Sequence, residues 1–268
     1  MIEANKINNE PVLYGFWLSP YMSIVAHILK ESNINFSYER VSAFVGGTHS
    51  AAHKLRNPLG KIPSFEDSNG VIISESQAIC RYLARTYPRA RKFYPCDDPV
   101  QCARVDAAND FLTFSISGPF FNWFVISGYS PKAFRAGTEQ ESHIYNIWSA
   151  IMIKGSLARL IRGSSMAPFL LGTEPCLPDF HLFHILELGK TFSEIFELPM
   201  LNLLAEDEAL QSFYDAMSAR TSTREILAEQ ASELAITKRE IFEEFGKAYA
   251  PMLKQGNPVL AALFGHDV

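Results

Sequence analysis

The chain has 268 residues, of which 47% are hydrophobic and 20% charged, and its formal net charge is −5. This composition is typical of a soluble globular protein with a sizeable core, and the acidic balance argues against nucleic acid as the main partner. The polar start, MIEANKINNEP, predicts no signal peptide, and no apolar run is long enough to cross a membrane. The four cysteines show neither a CxxC pair nor metal-ligand spacing, which favours a reduced, intracellular chain without a metal site.

The first patterned segment joins a strand to a helix. Residues 12–17, VLYGFW, are apolar and aromatic, and apolar positions recur at helical spacing from Met22 to Leu29. Between them stands Ser19-Pro20, a common helix start, so a helix N-cap is the simplest interpretation of Ser19. Backbone N–H groups at a helix start also attract anions, which leaves a binding function open.

The rest of the first 90 residues alternates between strand and helix patterns. In chain order the sequence predicts a strand, an irregular stretch, a hairpin and a helix: INFSYERVS (34–42), AFVGGTHSAAHKLRNPLGK (43–61), IPSFEDSNGVIIS (62–74) and SESQAICRYLARTYP (74–88). Asn69-Gly70 marks the hairpin turn, and Ser74 with Gln77 has capping-box spacing. We therefore expect a small α/β unit whose first crossover joins parallel strands.

Beyond residue 88 the period-two pattern disappears. Long apolar-rich segments and helical patterns follow, at 100–125, 139–162, 179–198 and 207–220. We expect a boundary in the linker at about 88–98, with an α/β domain over 1–90 and an all-helical domain over 98–268.

Four motifs in order carry a resemblance to a known family: Ser19-Pro20, NPLGKIP (57–63), ESQAICRYL (75–83) and ARVDAANDFL (103–112). Together they resemble the cytosolic glutathione transferases over about residues 11–220, and LYGFWLSPY is most similar to the serine-type classes theta and tau. The resemblance implies a thioredoxin-like domain with a mixed sheet, followed by an all-helical glutathione-transferase domain. It also implies an enzyme that uses glutathione as cosubstrate, a cytoplasmic location and a homodimer.

The resemblance assigns the backbone and polar groups that bind glutathione. In the family the proline corresponding to Pro63 is cis, which leaves the main chain of Ile62 to pair with the cysteinyl backbone of glutathione. Ser76 and the amides at its helix start suit the γ-glutamyl carboxylate, while Glu75 suits the ammonium group. Capping alone, from Ser74, is the structural alternative.

The glycyl carboxylate of glutathione needs a cation in the stretch 47–61. Lys61 and His49 are the candidates, with His53 third, although the loop spacing differs from the family pattern. Asp106 matches an aspartate that approaches the partner subunit's glutathione in theta-like enzymes. A helix salt bridge is the alternative for Asp106.

Ser19 is the predicted catalytic residue. Lowering a thiol pKa from about 8.5 by about two units requires roughly 2.7 kcal/mol of selective thiolate stabilisation. A charge-assisted hydrogen bond supplies about 1.5–3 kcal/mol and a helix terminus about 0.3–1 kcal/mol, so a neutral serine donor suffices. Tyr14 is a rival inside the predicted strand, and Tyr21 and Ser23 fall within the helix. The absence of cysteine at position 19 argues against thiol-exchange chemistry of the omega type.

Three further segments complete the sequence predictions. PFLLGTEPCLPDFHL (168–182) resembles the family's buried folding motif, and we interpret Cys176 and Asp179 there as structural. Most aromatic residues of 111–129 belong to the core, while one or two face an apolar electrophile. These aromatics are Phe111, Phe114, Phe120, Phe121, Trp123 and Phe124. Beyond about 222 the chain continues past the resemblance with a helical composition, including Phe242, Phe245 and Tyr249, either as a lid across the site or as a packing helix.

The sequence thus predicts a glutathione transferase in which the Ser19-stabilised thiolate attacks an apolar electrophile. A glutathione-dependent dehalogenase or ether-cleaving enzyme on the same site is one alternative. A binding or scaffold protein that has lost turnover is another.

Overall fold

The computed structural model of the chain describes residues 10–126, 139–164, 167–197, 199–204 and 207–244. Of residues 123–126, 139–147 and 200 only the backbone is described. Phe245 and Tyr249, and the side chains of Trp123 and Phe124, therefore lie outside the described residues.

The N-terminal part is a four-stranded sheet with helices. Its elements are β1 (Val12–Gly15), α1 (Pro20–Glu31), β2 (Ser37–Arg40), α2 (Ala51–Arg56), β3 (Ser64–Glu66), β4 (Ile72–Ser74) and α3 (Ser76–Thr86). The strand order is β2-β1-β3-β4. β1 pairs with β2 in parallel and with β3 antiparallel, which confirms the predicted crossover and the mixed sheet. The predicted hairpin is also confirmed, because β3 and β4 pair antiparallel around the turn.

Two local predictions for this part are wrong. The stretch 43–61 is not wholly irregular, since it contains a 3-10 turn, Gly47–His49, and the short helix α2. Six residues are too few for a readable hydrophobic period, and Ser50, which caps α2 by accepting a hydrogen bond from His53 N, was the available signal. The capping box of Ser74 and Gln77 does not form, because Ser74 belongs to β4 and the N-cap of α3 is Glu75.

In the C-terminal part the secondary-structure elements of the described residues are helices, apart from an isolated β-bridge between Phe169 and Gly172. A 3-10 segment, Pro88–Phe93, leads to α4 (Pro99–Leu112), a π-helical turn (Thr113–Ser117), α5 (Gly118–Ile126), α6 (Glu139–Gly163), α7 (Leu177–Ile195), α8 (Glu208–Ser218) and α9 (Thr221–Arg239). This confirms the predicted fold class. The helix α7 is buried along most of its length because it lies between the two parts of the chain.

The buried motif at the start of α7 is built around Asp179. Its carboxylate accepts hydrogen bonds from Leu170 N at 2.7 Å and Cys176 N at 2.8 Å, and the Cys176 thiol donates to it at 3.2 Å. Burial raises the pKa of Asp179 to about 6. Both residues hold local backbone together, in line with their structural interpretation.

Polar contacts join α1 to the helical part. The fully buried His27 of α1 lies 3.1 Å from His184 Nε2 of α7 and 3.2 Å from Ser222 Oγ of α9. At the end of α1, Glu31 accepts two hydrogen bonds from the guanidinium of Arg220, at 2.6 and 2.7 Å. These contacts fix the orientation of α1, whose N-terminus carries Ser19.

Two features are absent from the described residues. None of the helices there is long and apolar enough to span a bilayer. Nor does that part of the chain hold a group of three or more His, Cys, Asp or Glu side chains placed to bind a metal ion.

Candidate functional site

The strand register brings the predicted site segments to one edge of the sheet. Tyr14 of β1 pairs with Ser64 of β3, which pairs with Ser74 of β4. Because β3 runs antiparallel to both neighbours, its N-terminal end lies beside the C-terminal ends of β1 and β4. The residues just beyond those ends are the turn to Ser19, the Ile62-Pro63 segment and Glu75-Ser76, so the three predicted segments share this edge.

Gly15 allows the start of α1 and the Ile62-Pro63 segment to approach each other. A Cβ atom added at Gly15 would lie 2.8 Å from Met22 Cγ and 3.8 Å from Ile62 Cβ. A contact of 2.8 Å is shorter than real Cβ contacts permit, so only glycine fits without a shift of Met22. Met22 is in the first turn of α1, three residues after Ser19.

Ser19 is a buried helix N-cap. Its backbone is extended, with φ −71° and ψ 116°, and its hydroxyl oxygen accepts a hydrogen bond from Met22 N at 3.4 Å. Accepting that bond leaves the hydroxyl hydrogen able to point toward a ligand. The capping and ligand-binding interpretations of Ser19 are therefore compatible, because one uses a lone pair and the other uses the proton.

The Ile62-Pro63 peptide bond is cis. The preceding residue is held by its carbonyl, since Lys61 O accepts hydrogen bonds from His53 Nε2 at 2.8 Å and Asn57 Nδ2 at 2.9 Å. Ile62 lies outside β3, and the described residues give its main chain no hydrogen-bond partner. A peptide-like ligand could pair with it as a short added strand.

Glu75 has an unusual backbone conformation at the start of α3. It is a non-glycine residue at φ +70° and ψ 113°, and its side chain makes no capping hydrogen bond to the helix. Side chains at positive φ are disfavoured and cluster at functional sites. The Glu75 side chain is exposed and Ser76 is buried at the first position of α3. The uncapped first turn presents N–H groups that suit a carboxylate.

The three cation candidates have different surroundings. His53 is buried and its Nε2 bonds to Lys61 O, so it positions the loop. Burial and the nearby Lys54 lower the pKa of His49, which disfavours its charged form at neutral pH. Lys61 is exposed. Lys61 is the best fit of the three for a carboxylate partner.

Asp106 forms the salt bridge that was its structural alternative. It accepts a hydrogen bond from Arg81 Nη1 at 3.2 Å and another from Tyr94 OH at 2.9 Å. Both partners belong to the same chain, so Asp106 ties α4 to α3 and to the segment between them.

The rival hydroxyl groups are engaged elsewhere. Tyr14 OH donates to Glu66 at 2.9 Å, and burial with this hydrogen bond raises the pKa of Tyr14 to about 12. Ser23 Oγ donates to Trp17 O at 2.8 Å. Burial raises the pKa of Tyr21, against a hydrogen bond with Ser117 that lowers it. Ser19 remains the hydroxyl that is both at the helix start and able to donate.

The predicted aromatic cluster divides between core and site. Phe120 is fully buried, whereas Phe114 is exposed. The ring of Phe121, on α5, stacks on Tyr21 with ring centroids 5.3 Å apart. Phe121 and Tyr21 therefore form an apolar wall next to the first turn of α1, and Phe111 is half-buried against the core.

One contact with the site was missed by the sequence predictions. Glu233 of α9 accepts a hydrogen bond from Trp17 N at 3.1 Å, two residues before Ser19. Glu233 and Gln230, the residues of α9 that bond to Trp17 and Ser23, are polar, so apolar periodicity does not reveal this face. The C-terminal extension thus packs against the α/β part, with contacts as far along the chain as Glu240.

Comparisons with known proteins agree with this geometry. Residues 13–91 match the family model described as "Glutathione S-transferase, N-terminal domain". The chain is 40% identical over 94 residues to "Glutathione S-transferase theta-1" of Bos taurus, covering 35% of this chain and 38% of that protein. It is 36% identical over 83 residues to "Probable maleylacetoacetate isomerase" of Caenorhabditis elegans, covering 30% of this chain and 37% of that protein. The alignments thus span well under two thirds of these relatives.

Solved structures share the whole architecture. Poplar glutathione transferase F1 superposes with a TM-score of 0.69 at 18% identity, covering 84% of this chain and all of that one. The theta-class enzyme of Xanthomonas axonopodis pv. citri, a structure with glutathione bound, gives a TM-score of 0.63 at 24% identity, covering 81% and 96%. The fold is that of the glutathione S-transferases, a thioredoxin-like domain joined to an all-helical domain. Over residues 13–91 the chain is similar to the N-terminal domain of the glutathione S-transferases.

Proposed function

We propose that this protein is a glutathione transferase in which Ser19 stabilises the thiolate of bound glutathione. The observation that carries the proposal is the meeting of Ser19, the cis Ile62-Pro63 peptide and the Glu75-Ser76 helix start at one sheet edge. Each of the three presents a group suited to a different part of the tripeptide. A protein that used this fold only as a scaffold would not need the three together.

In the proposed complex, glutathione lies along the edge of the sheet. Its cysteinyl backbone pairs with the main chain of Ile62, and its γ-glutamyl carboxylate binds the N–H groups and hydroxyl at Ser76. Glu75 binds the ammonium group, and Lys61 binds the glycyl carboxylate. The thiol is then directed toward Ser19 at the start of α1.

Ser19 acts as a hydrogen-bond donor and keeps its own proton. The donated bond and the helix terminus together stabilise the thiolate by about 2–4 kcal/mol, enough to lower the thiol pKa by about two units. The thiolate sulfur attacks an electrophilic carbon of an apolar substrate beside Tyr21 and Phe121, forming a C–S bond. In a substitution the bond from that carbon to the leaving group breaks, and its electron pair departs with the leaving group. In an addition the π electron pair of the electrophile is displaced and takes a proton from solvent.

The test is the pH dependence of the ultraviolet absorbance of the bound thiolate. We expect a pKa about two units below that of free glutathione in the wild type, and a rise of about one to two units in Ser19→Ala. Ser19→Thr, which keeps both cap and hydroxyl, should retain the lowered pKa. Tyr14→Phe is the control for the rival hydroxyl and should leave the pKa unchanged, because that hydroxyl bonds to Glu66.

Either of two results would reject the proposal. Tight glutathione binding with an unshifted thiol pKa in both proteins would exclude Ser19 as the activating residue. Failure to bind glutathione would favour the scaffold alternative. The resemblance further supports a cytoplasmic homodimer, and sedimentation of the purified protein tests the dimer.

A further inference from the structure

The turn that carries Ser19 is held from outside its own domain. Ser19 N donates to Phe16 O at 2.9 Å, which closes a tight turn with Trp17 and Leu18 at its centre. The N–H of Trp17 points away from this turn and is accepted by Glu233 Oε2 of α9 at 3.1 Å. Both residues are buried, so the contact is shielded from water.

The carbonyl of Trp17 is fixed by a second chain of contacts to the same helix. Ser23 Oγ donates to Trp17 O at 2.8 Å, and Gln230 Nε2 of α9 donates to Ser23 Oγ at 3.1 Å. Both polar groups of the Trp17 main chain are therefore connected to α9, directly through Glu233 and indirectly through Gln230. A movement of α9 would change both connections together.

Glu233 is itself held in one orientation. Its Oε1 accepts a hydrogen bond from Tyr38 OH at 2.6 Å and lies 3.4 Å from Arg40 Nε. The ring of Tyr38 packs on the ring of Trp17 with centroids 5.1 Å apart, which closes a loop of contacts between β2, the turn and α9. A carboxylate fixed on both oxygens is a rigid acceptor, because neither oxygen can rotate away without losing a partner.

Further residues on the same face of α9, and in the turn after it, contact the α/β part. Five positions spaced alternately by four and three residues share one face of this segment, and all but the half-buried Gln230 are buried: Ile226, Gln230, Glu233, Thr237 and Glu240. Glu240 binds Arg40 through two hydrogen bonds, at 2.7 and 2.9 Å, and accepts another from Ser42 Oγ at 2.7 Å. Three of the five, Gln230, Glu233 and Glu240, form hydrogen bonds with the α/β part, and directional hydrogen bonds fix a position more sharply than apolar packing does.

We propose that Glu233 is a positioning residue for the reaction, which sets the location of Ser19 by holding the Trp17 amide of the β1–α1 turn. This inference rests on the proposed function and deepens it, because it assigns part of the thiolate-stabilising geometry to the C-terminal helix. Glu233 acts through the main chain and touches neither glutathione nor the electrophile.

The test compares Glu233 variants by the pKa of the bound thiolate and by hydrogen exchange of the Trp17 amide. Glu233→Ala removes the acceptor and should speed exchange of that amide and raise the thiolate pKa by about one unit, about a tenfold loss of thiolate at a fixed pH below the pKa. Glu233→Gln keeps an acceptor oxygen of the same reach and should retain both wild-type values. Glu229→Ala, at an exposed position one turn earlier on α9, is the matched control and should change neither.

A second variant covers the case in which Glu233→Ala does not fold. Glu233→Leu fills the volume without an acceptor, while Arg40 keeps its partner Glu240, and it should show the same faster exchange and raised pKa. Faster exchange with an unchanged pKa would overturn the inference, because the amide would be released without effect on Ser19. If Ser19→Ala raises the thiolate pKa and no Glu233 variant does, this inference alone fails. If Ser19→Ala has no effect either, the proposed function fails and the positioning role falls with it.

Discussion

The backbone of Glu75 offers a test that separates strain from binding. At φ +70° and ψ 113° the residue lies where a Cβ atom is disfavoured, which costs about 1–3 kcal/mol. Its side chain is exposed and makes no capping hydrogen bond to α3. If Glu75 serves glutathione binding, removing the carboxylate should weaken that binding, whereas only removal of Cβ should stabilise the fold.

Glu75→Gly relieves the strain, and Glu75→Ala keeps it. Glycine costs about 0.5–1 kcal/mol through the greater freedom of the unfolded chain, so we expect a net gain of about 1 kcal/mol for the glycine variant. A gain of that size raises the melting temperature by about 2–4 °C. The alanine variant should melt close to the wild type, because its Cβ occupies the same disfavoured region.

Both variants lose the carboxylate and should lose affinity equally. A hydrogen bond between charged groups contributes about 1.5–3 kcal/mol, so the dissociation constant for glutathione should rise about 10- to 100-fold. Thermal unfolding and calorimetric titration of the three proteins measure the two effects separately. A glycine variant less stable than the alanine variant would refute the strain, and wild-type affinity in both would refute the ammonium contact.

Two further predictions concern stability. Burial lowers the pKa of His27 to about 3 and that of His181 to about 4, and it lowers the pKa of His184 well below its usual value. Below about pH 6.5 these histidines are therefore protonated in the unfolded chain but stay neutral in the folded chain, which destabilises the fold. Chemical denaturation should show a free energy of unfolding at pH 5 that is lower than at pH 7 by about 2 kcal/mol for each of His27 and His181. The raised pKa of Asp179, about 6, acts in the opposite sense and offsets about 1 kcal/mol of this loss. Equal stability at both pH values would contradict this prediction. Cys176→Ser should stabilise the protein by about 0.5–1 kcal/mol, since a hydroxyl is a better partner for Asp179 and the first turn of α7, and a lower unfolding midpoint would refute it.

The sequence by itself determined the order of elements in the α/β part. This order could be predicted because the local signals are strong. Ser19 is the N-cap of α1 and Pro20 its first residue, and Asn69-Gly70 lies in the turn between β3 and β4. The residues of the candidate site came from the resemblance to the glutathione transferases, which the motifs Ser19-Pro20, NPLGKIP and ESQAICRYL carry. Their individual contributions to glutathione binding stay predictions.

Tertiary structure decided everything that depends on a partner distant in sequence. Tyr14 and Ser23 were rivals of Ser19 until Glu66 and Trp17 O proved to be their acceptors. Gln77, predicted to cap its own helix, instead lies 3.2 Å from His181 in α7. The contact of Glu233 with Trp17 spans 216 residues, and its helix face is polar, so no local pattern could reveal it. Local propensity fixes where helices and strands begin, whereas the partner of a polar side chain is fixed only when the whole chain has packed.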